Sequence, residues 1–84
     1  MSASSASPVG RIGRVARHGA IRPGRLGEVL IEIRGGIEAF LAEDVDGGAI
    51  GEDEEIVVVE QTAPRTVLVA RLYDRPDAVT EETP

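Results

Sequence analysis

The stretch that decides the fold is Ile21-Arg22-Pro23-Gly24-Arg25-Leu26-Gly27-Glu28-Val29, in which a basic loop leads directly into a strand. Pro23 fixes φ at the first central position of a tight turn, and Gly24 supplies the positive φ that a type II turn needs at the second. Residues 29–33 then alternate apolar and mostly polar side chains. This alternation predicts a half-buried strand at the start of a small β-barrel.

The glycine pair Gly35-Gly36 predicts a hairpin between a second strand, Glu28–Arg34, and a third strand, Ile37–Glu43. Glycine is favoured in two-residue hairpin turns, whose central residues adopt positive φ. A two-residue turn at this pair places one set of residues on the inner face of the barrel. That set is Val29, Ile31, Ile33, Phe40 and Ala42, with Glu38 at its rim.

The same register makes Leu30 and Leu41 direct cross-strand neighbours on the outer face. A three-residue turn would instead bury Ala39 and Leu41 and expose Phe40, because a slip of one residue moves every side chain to the other face. We prefer the two-residue turn.

Three further strands complete the prediction. They are Gly10–Arg17, Glu54–Glu60 and Arg65–Leu72, with a glycine- and acid-rich loop at 44–53 and a turn at 61–64. Gly13 suits a bulge or a sharp coil of the first strand. Because no segment of helical length has a sustained i, i+3, i+4 apolar pattern, the domain is predicted to be all-β, a small five-stranded barrel that is closed or partly closed.

The chain has 84 residues, a length that predicts a single domain. It contains no cysteine, so neither a disulfide framework nor a thiolate zinc site is available. Residues 1–8 are predicted to be a disordered N-terminal tail, 9–72 the barrel, and 73–84 an acidic disordered C-terminal tail. The sequence contains neither a secretory signal nor an apolar run of about 20 residues. We therefore expect a soluble, cytoplasmic chain, with a position peripheral to the membrane as the alternative.

The order of landmarks resembles the soluble C-terminal domain of the NfeD family. The landmarks are Gly10-x-x-Gly13, Ile21-Arg22-Pro23, Gly27-Glu28-Val29, the glycine turn, Glu38-x-Phe40-x-Ala42, Ile50, the valine-rich fourth strand and Val67-x-Val69. This chain has Asp53 where the family usually has glycine, which implies a differently built turn into the fourth strand. The family's domain commonly follows transmembrane helices, and this sequence contains none.

The resemblance implies a five-stranded OB-fold barrel that associates with membrane scaffold proteins of the stomatin and flotillin type. That is an interaction role without catalysis or a cofactor. The residues agree with this expectation. His18 is the only histidine, and the serines lie in the N-terminal tail, where they cannot be held rigidly beside a base. The acidic loop places Asp44, Asp46 and Glu55 at calcium-loop positions but lacks the glycine and the helices, so we assign no metal site.

The basic face comprises Arg11, Arg14, Arg17, Arg22 and Arg25. In OB-folds the groove over the second and third strands binds oligonucleotides, so a single-stranded nucleic-acid binder using this face is the alternative function. A net charge of −6 and the lack of stacking rings, with Phe40 assigned to the core and Tyr73 beyond the last strand, make nucleic acid the less favoured partner. A solvated face, or one paired with the acidic loop, is the simplest interpretation.

The barrel leaves several apolar side chains on its outer face. They are Leu30, Leu41, Val57, Leu68 and Leu72. A contiguous apolar patch marks an interface, whereas scattered apolar residues are normal. The predicted protein-binding residues are Arg22, Pro23, Gly24, Arg25, Leu30, Leu41, Val57 and Leu68, with weak self-association through the same leucines as a further expectation. A tail that folds back over these side chains is the open alternative.

Overall fold

The fold was obtained as a computed structural model that describes residues 7–72. Its strands are β1 (Ile12–Val15), β2 (Gly27–Ile33), β3 (Gly36–Asp44), β4 (Glu55–Ala63) and β5 (Thr66–Arg71). They close into a barrel in the order β1-β2-β3-β5-β4, in which only β3 and β5 run parallel. The predicted all-β, OB-fold-like barrel is confirmed. Both predicted tails fall largely outside the described residues, and Tyr73 lies there too.

A membrane-spanning helix is absent from residues 7–72.

The β2–β3 hairpin confirms which residues point inward but corrects the turn. The two-residue loop is Arg34-Gly35, with φ of 56° and 77°, rather than Gly35-Gly36. Positive φ at both central residues is the requirement of a type I′ turn. Moving the turn by one residue shifts the pairing by two, so each side chain keeps its face but gains a new partner. Leu30 lies opposite Ala39, and Leu41 lies opposite Glu28, so the predicted Leu30–Leu41 pair is wrong.

The other strands differ from prediction mainly at their ends. β1 spans four residues rather than eight, and β4 continues to Ala63, so the chain turns at Pro64-Arg65. Two register shifts along β4 let it follow β5 past the predicted end. In β1, Gly13 allows close approach of the strands rather than a bulge. It faces both Ile31 and Ile56, and a Cβ atom there would strike the Leu30 carbonyl oxygen.

The core contains every residue that was predicted to point inward. The buried cluster is Val15, Ile21, Val29, Ile31, Ile33, Phe40, Ala42, Ile50, Ile56, Val58, Val67 and Val69. Ile21 and Ile50 come from loops and were not expected there. They form a two-residue antiparallel bridge, with N–O distances of 2.9 and 3.0 Å, that closes one end of the barrel. Within residues 7–72, no polar or charged residue is buried.

Candidate functional site

The β1–β2 loop, residues 16–26, is shaped by the predicted turn. The Arg25 amide donates to the Arg22 carbonyl at 2.9 Å, the Arg22 amide donates back at 3.3 Å, and Gly24 has φ of 74°. These features fit the type II turn that the Pro23-Gly24 pair favours. Pro23 and Gly24 are exposed at its tip. The turn therefore holds two arginine side chains at its two ends.

Gly27 allows this loop to lie directly against the start of β2. A Cβ atom at Gly27 would lie 2.6 Å from Ile21 Cγ1 and would also strike the Gly19 carbonyl oxygen. The Glu28 amide donates to that same Gly19 carbonyl at 2.9 Å. Only glycine permits so close an approach of loop and strand, so the position of the loop depends on this residue.

The loop borders a concavity of about 510 Å³. We call it the loop groove, and its charged and large apolar lining residues are Arg22, Arg25, Leu26, Glu28, Leu41 and Glu52. Leu26 and Leu41 are 44% and 46% exposed. Glu52 belongs to the β3–β4 loop, residues 45–54, which the Ile21–Ile50 bridge holds beside the β1–β2 loop. The groove thus combines two positive, two negative and two large apolar side chains.

The ion pairs observed within residues 7–72 do not join the basic face to the acidic loop. The ion pairs in residues 7–72 join Arg65 to Glu38 at 3.3 Å and Arg71 to Glu54 at 3.1 Å. Neither pair includes Arg11, Arg14, Arg17, Arg22 or Arg25. Of the two simplest interpretations of the basic face, a solvated face or one paired with the acidic loop, the pairing is therefore not observed among these residues.

Phe40 offers no stacking surface for a base. It is 4% exposed, and the Arg65 guanidinium carbon lies 4.6 Å above the ring centroid. Arg65 also donates a hydrogen bond to the Ala39 carbonyl. No other Phe, Tyr or Trp occurs in the described part of the chain. The platform that single-strand binders use is thus missing from residues 7–72.

A second surface lies on the outer wall of the barrel. We call it the wall patch, and it consists of Ile12, Leu30, Ile37 and Val57. Ile12 lies opposite Val57 across β1 and β4, and it shares a shallow concavity of about 200 Å³ with Leu30 and Ile37. Ile37 and Ile12 are 68% and 53% exposed, whereas Leu30 and Val57 are half-buried. The patch is therefore open and largely apolar, with the exposed Glu32 opposite Ile37 on the neighbouring strand.

The predicted protein-binding residues divide between these two surfaces. Arg22, Arg25 and Leu41 line the loop groove, with Pro23 and Gly24 at the adjacent tip, and Leu30 and Val57 belong to the wall patch. Leu68 joins neither surface, because it is half-buried between Glu43 and Glu60 on the neighbouring strands. Ile12 and Ile37 were missed. The alternation of β3 could have identified Ile37. It lies four residues before the outward-facing Leu41, so both side chains are on the same face of the strand.

The candidate metal and catalytic residues are not drawn together. Asp44 Oδ2 accepts a hydrogen bond from the Gly48 amide at 2.9 Å, which stabilises the turn that follows β3. Among residues 7–72, no three His, Asp or Glu side chains are grouped closely enough to hold a metal ion. His18 is exposed, with φ of 68°, at the edge of the loop groove. Asp53 has φ of 64°, a conformation that glycine at this position would adopt readily.

Comparisons with known proteins identify one family and several similar solved structures. Residues 12–70 match the NfeD C-terminal domain. The soluble domain of the NfeD protein YuaF from Bacillus subtilis is similar at a TM-score of 0.64 and 27% identity, over 79% of this chain and 75% of that one. The C-terminal domain of stomatin operon partner protein 1510-C from Pyrococcus horikoshii is similar at 0.56 and 28%, over 80% and 91%. No curated protein matches the chain significantly.

Proposed function

Since the chain belongs to the NfeD C-terminal domain family, we propose that it is a non-catalytic module that binds a scaffold protein of the stomatin or flotillin type through the wall patch. One similar structure is described as a stomatin operon partner protein, which supports a partner of this class. Binding to such a scaffold would place this chain in the cytoplasm at the periphery of a membrane.

The observation that carries the proposal is the exposure of Ile37 and Ile12, at 68% and 53%, next to Leu30 and Val57. These apolar side chains lie on four consecutive strands of the barrel, β4, β1, β2 and β3, and form a surface that water solvates poorly. Burying about 400 Å² of it would contribute roughly 10 kcal/mol before the cost of association, which removes most of that gain. An affinity suited to reversible assembly follows.

The surroundings of the patch also suit a protein partner. Arg14 and Glu55 line the same concavity as the isoleucines, and Glu32 lies opposite Ile37 within the patch. Protein interfaces commonly combine apolar contacts with hydrogen-bonding groups of this kind. The backbone below it is held by the β1–β2 and β1–β4 ladders, so little ordering entropy is lost when a partner docks.

The proposal is tested by titrating the soluble part of a stomatin- or flotillin-type scaffold from the same cell into this chain in a calorimeter. The double variant L30S/I37S should weaken binding by about tenfold or more, because it removes two of the four apolar side chains. V45S is the matched control. Val45 is also exposed but lies beside β5, with its amide bonded to the Val69 carbonyl at 2.8 Å. Equal affinities for the wild type and L30S/I37S would refute the assignment of the wall patch.

A further inference from the structure

The two loops at one end of the barrel carry opposite charges. Residues 16–26 contain Arg17, Arg22 and Arg25 and no acid, whereas residues 45–54 contain four acids and no base. The Ile21–Ile50 bridge joins the loops, and the Asp53 amide donates to the Val15 carbonyl at 2.9 Å. A positive and a negative lobe are therefore fixed side by side on one surface.

The loop groove likewise contains both positively and negatively charged side chains. Arg22 and Arg25 stand on the turn, Glu28 on β2 and Glu52 on the β3–β4 loop, and all four are exposed. None of the four belongs to an ion pair within residues 7–72. Leu26 and Leu41 lie in the same groove, so the charged groups share it with two large apolar side chains. The surface has the composition of an interface that lacks its partner.

A surface with one positive and one negative half is complementary to itself under a two-fold rotation, because each half meets the opposite half of the other copy. We propose that two copies of this chain pair through their loop grooves. Arg22 and Arg25 of each copy face Glu28 and Glu52 of the other, and the exposed Pro23-Gly24 tip enters the opposing groove. Leu26 and Leu41 of the two copies meet at the centre.

The association of the two copies is expected to be weak and reversible, for two reasons. Exposed ion pairs are individually weak, and the net charge of −6 makes two copies repel at long range. Added salt screens the attraction at the groove and the overall repulsion alike, so its effect has no predictable sign. Reversing the charges on one side of the groove is therefore a more decisive test than varying the salt concentration.

The experiment is sedimentation equilibrium of the full chain at concentrations up to about 1 mM, a range suited to weak contacts. The wild type is expected to dimerise. R22E/R25E and E28R/E52R should each raise the dimer dissociation constant by about tenfold or more, since like charges then face each other across the two-fold axis. An equimolar mixture of the two variants should restore association as a heterodimer.

The control is R11E/R34E, which changes the net charge as much as R22E/R25E but lies outside the loop groove. It should shift the dissociation constant less than R22E/R25E does, and far-UV circular dichroism should show that all variants remain folded. A wild type that stays monomeric at about 1 mM, or a dimer that R22E/R25E weakens no more than R11E/R34E does, overturns the proposal. The loop groove and the wall patch share no residue. Failure of the dimer proposal would therefore leave the proposed binding of a scaffold protein untouched.

Discussion

The wall patch and the loop groove are two open surfaces on one barrel, and they are built differently. The wall patch consists of apolar side chains on paired strands, placed by the registers of β1, β2, β3 and β4. The loop groove mixes both signs of charge with leucine and depends on two loops that a buried bridge holds together. The difference suits the two separate tasks that we propose, recognition by apolar burial on the wall and by matched charge at the loops.

The largest expected effect comes from replacing Phe40, a buried residue of the strand that contributes to both surfaces. β3 contributes Ile37 to the wall patch and Leu41 to the loop groove, and Phe40 is its buried aromatic side chain. Phe40→Ala should cost about 3–5 kcal/mol of unfolding free energy, enough to unfold a domain this small and to remove both surfaces together. Chemical denaturation monitored by circular dichroism measures this.

Leu41→Ser is the matched control for that experiment, because it changes the neighbouring but outward-facing side chain. It should leave the midpoint of denaturation nearly unchanged. If Leu41→Ser proves the more damaging of the two, the register of the β2–β3 hairpin is wrong.

Two glycines allow the surfaces to be disturbed one at a time. Gly27→Ala would press on Ile21 and Gly19 and should displace the β1–β2 loop, whereas Gly13→Ala would press on Leu30 beneath the wall patch. Each overpacked variant should lose about 1–3 kcal/mol. Amide spectra should show the larger changes around the loop groove for Gly27→Ala and around the wall patch for Gly13→Ala.

Gly36→Ala is the control for both glycine variants. A Cβ atom there lies 3.9 Å from its nearest neighbour, the Ile33 carbonyl oxygen. It should change the unfolding free energy by less than about 1 kcal/mol. Identical spectral changes in Gly13→Ala and Gly27→Ala would show that the two surfaces are not structurally independent.

Local pattern was sufficient for the strands and their inner faces but not for contacts between distant loops. Alternation identified Val29, Ile31, Ile33 and Phe40 as core residues, yet it repeats every two residues and could not distinguish a turn at Gly35-Gly36 from one at Arg34-Gly35. Ile21 and Ile50 lie among glycines and charged residues, where no periodicity marks them as buried. Their burial results from a bridge across 29 positions of sequence, which propensity does not encode.

The candidate site was predicted in parts for the same reason. Arg22, Arg25, Leu30 and Leu41 were recognised as surface residues of interest, but their grouping depended on the true register. Because Leu41 pairs with Glu28 rather than Leu30, it belongs to the loop groove. Separating the predicted set into two surfaces required the closed barrel.

A smaller effect concerns the support of the loop groove at Asp53. Its φ of 64° is unfavourable for residues with a Cβ atom, and less so for aspartate than for alanine. Asp53→Ala should cost about 1 kcal/mol, while Asp53→Gly should stay within about 0.5 kcal/mol of the wild type. Thermal denaturation of the pair provides the measurement, and equal losses in both variants would show that the aspartate side chain matters more than the backbone.

The smallest expected signal is that of single-stranded nucleic acid at the loop groove. Glu28 and Glu52 lie beside Arg22 and Arg25, and no exposed Phe, Tyr or Trp ring within residues 7–72 offers a base a stacking partner. Fluorescence anisotropy with a labelled oligonucleotide at low salt should therefore show no micromolar binding. Micromolar affinity that is lost in R22A/R25A would assign the groove to nucleic acid instead.

The central claim, that the wall patch receives the protein partner, is tested most directly by methyl NMR of the isotopically labelled chain during titration with the purified stomatin- or flotillin-type scaffold. Ile12, Leu30, Ile37 and Val57 should show the largest shift changes, while Leu26 and Leu41 in the loop groove serve as internal references and change little. Shifts concentrated at Leu26 and Leu41, with Ile12 and Ile37 unmoved, would contradict the account.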